Sequence, residues 1–447
     1  MMRYLILIIL LSTNSAYAKQ WSLDELLDYA LENSPVIKKS QIDADISTMD
    51  VDLAKQDHNL GFTFNVESFS GFTFGRERLI IGGVVVSDDV TNNNDFVEPF
   101  LVLQFRYPLF KEGKFVFQKS LSEDIATVKK DNSISRLNLN KEDLIFSVAN
   151  LYLELAQLSK KITYYQDSLN RLDKILEEAK ARYDENIITK PEYTRAEHRK
   201  NNKELEIKIA RIDLEVFQRQ FLNLLGMPLN ENILIVDYDL NTFDKVSVSV
   251  PGYDVLKHSA LKDSPELLIA ENELELSILQ SKLAKKKILP DIYLRDTSVF
   301  TTNDNGHFVA LGITFPLHNV FKRVVGDPEL KKSILDIEKN KITLSQTKNE
   351  IELGLFQDYS NWKKATYSTE TLMHNIKIEE TKLEEAREKF ANKHFSTGEY
   401  LKQLDSFEIT RMEYNDQKKI EVNTLLVLLK NSGLIDEYVY PDNPINQ

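Results

Sequence analysis

The sequence predicts a mainly helical chain with a small β part, built from one strand–strand–long helix–short helix unit written twice. Three observations carry this. "ALENSP" (30–35) returns as "ALKDSP" (260–265), 230 positions later. Long stretches without proline or glycine place apolar residues at a mean spacing of 3.5, the seam period of a coiled coil. Short stretches between them alternate apolar and polar residues, the period-two pattern of strands with two unlike faces.

The two copies stay in register past the opening phrase. Ala54-Lys55 faces Ala284-Lys285, and "GFTF" (61–64) faces "DIYL" (291–294), both at an offset of 230. "LQFRYPLF" (103–110) then faces "LGITFPLH" (311–318) at an offset of 208, and "EAKARY" (178–183) faces "EAREKF" (385–390) at 207. The drop from 230 to 208 places 22 extra residues in the first copy between 64 and 103, in a Gly-, Asn- and Asp-rich stretch expected to be a loop.

Residues 1–18 read as a signal peptide: Arg3, then the apolar run "YLILIILL" (4–11), then Ala16-Tyr17-Ala18 as a cleavage site. Eight apolar residues are too few to span a bilayer. Removing Arg3 takes the net charge from −13 to −14, so no basic face for nucleic acid is expected. With no cysteine in the chain, disulfides, thiolate metal sites and an N-terminal lipid anchor are not expected.

The first repeat is expected over 19–226. Ser22 and Glu25 have capping-box spacing and open a short helix. Ser34 before Pro35, and Ser264 before Pro265, can cap the next helix in each copy. Strands follow at about 61–74 and 98–110. Leu101, Leu103, Phe105, Tyr107 and Leu109 share one face of the second strand, with Gln104 and Arg106 on the other. Pro108 and its counterpart Pro316 are each expected to close a strand, since proline cannot donate to a ladder. A helical hairpin is expected over about 114–225. Its long arm, about 114–187 and about 100 Å at 1.5 Å per residue, carries the stripe Leu144, Val148, Leu151, Leu155, Leu158, Ile162 and Tyr165. Residues 227–259 form an inter-repeat segment, expected with the 434–447 tail to make a belt around the helices. The second repeat, 260–433, has strands at about 291–301 and 308–318 and a hairpin at about 328–430.

Four strands per chain cannot close a barrel, and an open sheet leaves unpaired edges. In lipid only a closed barrel satisfies strand backbones, and alternation of apolar and polar faces suits a barrel with a watery lumen. Three chains would supply twelve strands. A soluble sandwich capping a coiled coil is the alternative. Seven scattered histidines without His-Glu-x-x-His spacing, and the lack of a Gly-rich phosphate loop or Gly-x-Ser-x-Gly elbow, leave no catalytic constellation and no cofactor to expect.

The duplicated openings, the element order and the two hairpin turns "EAKARYDENIITKPEYTRAE" and "EAREKFANKHFSTGEYLKQLD" together resemble the TolC-family outer-membrane efflux proteins over nearly all of 19–433. The resemblance implies a homotrimer: an α-helical coiled-coil tunnel in the periplasm, capped by a twelve-stranded transmembrane β-barrel in outer-membrane lipid. It implies docking onto a periplasmic adaptor and an inner-membrane transporter, proton-driven or ABC type. It implies service as the exit channel of an efflux pump or type I secretion system. The non-channel alternative is a periplasmic or surface structural coiled coil.

The resemblance also marks tip residues. Asn186, Thr189 and Lys190 in the first hairpin, with Lys393, Ser396 and Gly398 in the second, are candidate adaptor-docking positions. Where the family often has glycine, this chain has Asn186 and Lys393. Asn tolerates a left-handed backbone and Lys does so poorly, so Gly398 is expected to help make the second turn. Glu399, Lys402 and Asp405 are candidate aperture residues. Glu399 matches one of the family's tip carboxylates, Lys402 replaces another, and Asp405 lies one turn on. A ring of Glu399 side chains would attract cations, and Lys402 could weaken it as an i,i+3 partner. An acid in the first turn of a helix is favoured in any case, and Glu192 stands equivalently in the first hairpin.

Overall fold

The structure is a computed structural model. It describes residues 20–59, 63–73, 79–81, 84–87, 95–111, 113–116, 118–229, 234–235, 250–300, 305–392 and 394–439; the expected signal peptide, the last residues of the tail and Lys393 lie outside these. In chain order the first copy runs β1 (Gln20–Trp21), α1 (Leu23–Asn33), α2 (Pro35–Asn59), β2 (Thr63–Thr73), β3 (Leu79–Ile81), β4 (Val84–Ser87), β5 (Asp95–Lys111), β6 (Lys114–Phe115), α3 (Leu121–Asp184) and α4 (Lys190–Leu225). The second runs β7 (Leu234–Ile235), α5 (Tyr253–Asp263), α6 (Pro265–Lys286), β8 (Asp291–Phe300), β9 (Asn305–Thr314), α7 (Leu317–Val325), α8 (Pro328–Ala391), α9 (Thr397–Asn431) and α10 (Ile435–Val439). The chain is mainly helical with a small sheet.

The duplication is visible in element lengths. The long helices α3 and α8 both have 64 residues and start 207 positions apart, at Leu121 and Pro328. Helices α1 and α5 both have 11 residues, 230 positions apart. The second copy therefore opens at Tyr253, inside the segment expected to be inter-repeat. Its helix starts after Gly252 rather than after a capping Ser, so the sequence lacked the usual signal.

The chain divides into two compact units. One holds the described parts of 1–40, 137–265 and 348–447; the other holds those of 41–136 and 266–347. In the first, Leu144, Val148, Leu155, Ile162 and Tyr165 of the α3 stripe are buried, Leu151 and Leu158 are half-buried, and Leu172 and Ala179 further along are buried, as is a second row, Ile145, Ala149, Tyr152 and Ala156. Two buried rows mean packing on two sides, more than one coiled-coil seam. Ser22 and Glu25 form the expected capping box. The Ser34 hydroxyl does not cap α2: it is buried without a partner, and the Ser34 carbonyl instead accepts from the Lys38 amide at 3.0 Å. Strands β1 and β7 pair in parallel, Gln20 opposite Leu234.

Helix α4 ends at Gly226, whose φ is +72°. A Cβ there would lie 3.1 Å from the Asn33 carbonyl and 3.2 Å from Pro35, so this turn needs both the left-handed backbone and the missing side chain. Gly433, 207 positions on, ends α9 with φ +71° and nothing within 4 Å of a Cβ.

In the second unit β2, β5, β8 and β9 form an antiparallel sheet in that order, with β6 added beside β5. Its helices meet through Leu121, Val128 and Leu279 and through hydroxyl pairs such as Ser47 with Ser133 at 2.7 Å. Four expectations change here. The 22-residue excess holds a two-stranded hairpin, β3 with β4, rather than loop alone. Pro108 does not close β5: it sits opposite Tyr293, and the register slips between Pro108 and Phe110. That bulge absorbs the missing donor and puts Phe110, not Leu109, opposite Ile292. The long helix starts at Leu121, not 114, because β5 turns back at Gly113 (φ +73°) and Lys111 pairs with Lys114. After β9, which ends at Thr314, Pro316 stops the ladder and starts helix α7, its carbonyl accepting from Asn319 at 2.9 Å and Val320 at 3.1 Å; 317–318 are thus helix rather than strand.

Two glycine substitutions separate backbone strain from crowding. Gly226→Ala and Gly433→Ala should each cost about 1–2 kcal/mol for a left-handed alanine, and Gly226→Ala should cost more, because only its Cβ meets a neighbour. Thermal unfolding midpoints of the two variants are the measurement; equal losses would mean that the Asn33 contact contributes nothing.

Candidate functional site: hairpin tips and strand faces

Two helical hairpins, α3–α4 and α8–α9, end in tips of related construction. In the first, Asn186 takes φ +57°, the one non-glycine positive φ among the described residues. The Ile187 amide donates to the Arg182 carbonyl at 2.8 Å, closing α3 with a left-handed cap. Thr189 then opens α4. Its amide and hydroxyl donate to Glu192 Oε2 at 2.9 and 3.0 Å. Asn186, Thr189 and Lys190 are exposed.

In the second tip the His394 amide donates to the Lys389 carbonyl at 2.8 Å. Ser396 opens α9: its amide and hydroxyl both donate to Glu399 Oε2 at 2.8 Å, and its Oγ accepts from the Glu399 amide at 3.2 Å. Gly398 does not make the turn. It is inside α9, without a positive φ, because the S-x-x-E box already fixes the helix start.

The tips are tied together. Arg182 of the first donates to the Phe390 carbonyl of the second at 2.9 Å, and its guanidinium lies 4.1 Å over the Phe390 ring. Tyr183 stacks on Tyr193 and Phe390 on Tyr400, with centroids 5.5 and 4.9 Å apart. Beneath them Leu172, Ala179, Ala196, Ala386, Leu401 and Leu404 form one core drawn from all four helices.

The aperture candidates are thereby placed. The Glu399 carboxylate is turned back on its own helix start, and the donors of Ser396 hold it below the usual carboxylate range. No Glu399–Lys402 ion pair is present among the described residues, and Lys402 is exposed. Asp405 is half-buried and ion-paired with Arg199 of α4. Burial pushes its carboxyl up, and the Arg199 charge opposes that shift. The three therefore do not converge within one chain.

Sequence reasoning missed the layer one turn further along. Lys203, with only 5% of its side chain exposed, lies 2.7 Å from Glu206 and 3.2 Å from Glu408 of α9. Its ammonium sits 4.5 Å from the Tyr165 ring, and burial first, then nearby carboxylates, push the Tyr165 hydroxyl up to about 12. In the sequence Lys203 is one more charge in "AEHRKNNKE", a run with the look of a solvated face. Only the partner acid on a distant helix shows otherwise.

The sheet has two unlike faces. Phe64, Val66, Leu101, Phe105, Leu294, Val309, Leu311 and Ile313 share one and are exposed. On it, Ser298 hydrogen-bonds His307 at 3.0 Å, and Asp296 Oδ1 lies 3.3 Å from the same ring nitrogen but is buried without a hydrogen-bond partner. The other face carries Asn65, Glu67, Gln104, Arg106, Arg295 and Thr314. The outer edges of β2 and β9 have no pairing partner among the described residues. No helix among them is long and apolar enough to cross a membrane, a statement about helices that leaves β structure untouched. No group of three or more His, Asp or Glu among them could hold a metal ion.

No family model matches the chain, and no curated protein matches it in sequence. Solved structures do match in fold. The outer membrane protein VceC of Vibrio cholerae superposes with a TM-score of 0.73 at 14% identity, over 92% of this chain and 96% of its own. The Campylobacter jejuni CmeC outer membrane channel gives 0.73 at 12%, over 92% and 86%. The Neisseria gonorrhoeae MtrE outer membrane channel in its open state gives 0.69 at 15%, over 92% and 89%. This chain has the fold of these channels, the fold that the TolC-family resemblance implied.

Removing one partner of the buried Lys203 cluster tests its packing role. Lys203→Ala should cost about 3 kcal/mol, because it strands Glu408 as a buried charge. Adding Glu408→Gln should recover part of that loss. Thermal unfolding of the single and double variants checks this; equal midpoints would rule the coupling out.

Proposed function

We propose that this chain is one subunit of a homotrimeric outer-membrane exit channel of the TolC family, the outer component of a tripartite efflux pump or a type I secretion system. The carrying observation is the four-stranded sheet, with an exposed apolar face and two outer edges unpaired among the described residues, in a chain with the fold of outer-membrane channels. The strands alternate in direction through β2, β5, β8 and β9. An even number of alternating strands lets β9 of one copy meet β2 of the next in the antiparallel sense. Three copies then give a closed twelve-stranded barrel with its apolar face toward lipid and its polar face toward water.

The helices support association as well. Helix α4 exposes Leu205, Ile209, Ile212 and Val216 at steps of four, three and four, the last three at 59%, 62% and 48%. Helix α2 exposes Ile42, Ile46, Met49 and Leu53 at the same steps. A seam that its own chain leaves uncovered fits a neighbouring copy.

In this reading the signal peptide directs export, the barrel sits in outer-membrane lipid and the helices stand in the periplasm. The hairpin tips, through Asn186, Thr189, Lys190, Lys393, Ser396 and Gly398, face a periplasmic adaptor. An inner-membrane transporter supplies the energy, and conduction through the channel is passive. Glu399, Lys402 and Asp405 stand at the pore's narrow end. Glu399 acts there as a helix cap rather than a charge filter, because its carboxylate is occupied by Ser396.

Light scattering of the detergent-purified mature protein should give three chain masses, and Ile209→Glu with Ile212→Glu should reduce it to one while far-UV dichroism stays helical. A single chain mass for the unaltered protein would contradict the proposal. In planar bilayers Glu399→Gln, which keeps the capping acceptor, should leave cation preference unchanged; a clear shift would restore the charge-ring role.

A further inference from the structure

The polar face of the sheet brings two arginines together. The β5–β8 register sets Arg106 directly opposite Arg295. Like charges placed opposite one another destabilise a strand pair, and neither arginine has an ion-pair partner among the described residues. This holds in a chain whose 69 acidic residues outnumber its 56 basic ones. Glu67 and Asp291 share the face, yet they pair in register with Val102 and Thr314, and neither reaches either guanidinium as an ion pair.

The arginines are nonetheless held in place. The Arg106 guanidinium stacks 3.5 Å over the Tyr293 ring and donates to Thr314 Oγ1 at 2.7 Å. Tyr293 itself lies flat on Gly312, where any Cβ would come within 2.3 Å of the ring. Arg295 lies 5.5 Å from the Phe308 ring, and its Nε is buried without a partner. Aromatic faces position each charge without neutralising it, and a guanidinium with free donors is preorganised for a carboxylate or phosphate.

We propose that Arg106 and Arg295, backed by Tyr293 and Phe308, form an anion-binding belt on the pore wall that takes organic anions with an aromatic body. The proposal rests on the channel reading above, which turns this face to the lumen and repeats the pair three times. The carboxylate bridges the two guanidiniums and so relieves their repulsion, while the rings contact the solute's apolar part. Glu67 alone would suggest a preference for cations; the belt gives the opposite preference at its own level of the barrel.

The test is single-channel recording in planar bilayers with benzoate as probe and inorganic phosphate as the non-aromatic comparison. Benzoate should block the unaltered channel more strongly than phosphate, and block should weaken with ionic strength. R106Q with R295Q should weaken benzoate block at least about tenfold, with unitary conductance retained. T314D, which puts a carboxylate beside Arg106 and leaves both arginines in place, should give a loss in the same direction and serves where the double variant does not insert. Equal block in the unaltered protein and in T314D or the double variant overturns the belt. Equal block by phosphate and benzoate overturns the aromatic part of it. No conductance from the unaltered protein overturns the channel reading itself, and the belt with it.

Discussion

Every strand backbone needs a partner, and among its described residues this chain supplies too few strands to satisfy its own. β2 and β9 each offer a row of donors and acceptors on an outer edge, beside a face of exposed Phe, Leu, Ile and Val. Soluble proteins blunt such edges with charge, proline or bulges. Here the register slips once in β2, between Phe69 and Gly71, and once at Pro108 between β5 and β8; the outer edge of β9 carries neither. An uncovered edge and an uncovered apolar face on one sheet would both be resolved by the ring closure in lipid proposed above. The uncovered seams on α2 and α4 point the same way.

The helical tips obey a more local rule. Each hairpin restarts with a hydroxyl at the cap and a glutamate three residues on, Thr189 with Glu192 and Ser396 with Glu399. The helix's free amides and cap hydroxyls then compete for the carboxylate, and they win in both copies. Charges that do bind the tips together are buried deeper: Arg182 on Phe390, Arg199 on Asp405, and Lys203 between Glu206 and Glu408. Rigidity at this end therefore comes from interhelix pairs and stacked rings.

Much of the fold was legible because the chain states it twice. The offset of 207 that aligns "EAKARY" with "EAREKF" also relates Leu121 to Pro328 and Gly226 to Gly433. Strand faces were legible from alternation up to the point where a proline intervened. There the sequence is ambiguous, since the same missing donor yields a bulge at Pro108 and a helix start at Pro316; which one follows depends on what the next residues can pair with. The Gly113 turn was hidden because "KEGKF" reads equally well as a strand end. At the site, the sequence placed Glu399 in a helix's first turn, where an acid is favoured; that Ser396 occupies its carboxylate came from the structure. Lys203 and the opposed arginines were invisible because each depends on a partner roughly two hundred positions away, and only register or packing supplies that.

The account stands on edge pairing between copies, and amide hydrogen exchange of the protein reconstituted in lipid reads it directly. If β9 of one copy pairs with β2 of the next, amides of 63–68 and 305–314 are protected to the same degree as those of the central strands β5 and β8. Fast exchange along the outer edges of β2 and β9, with β5 and β8 protected, would contradict it.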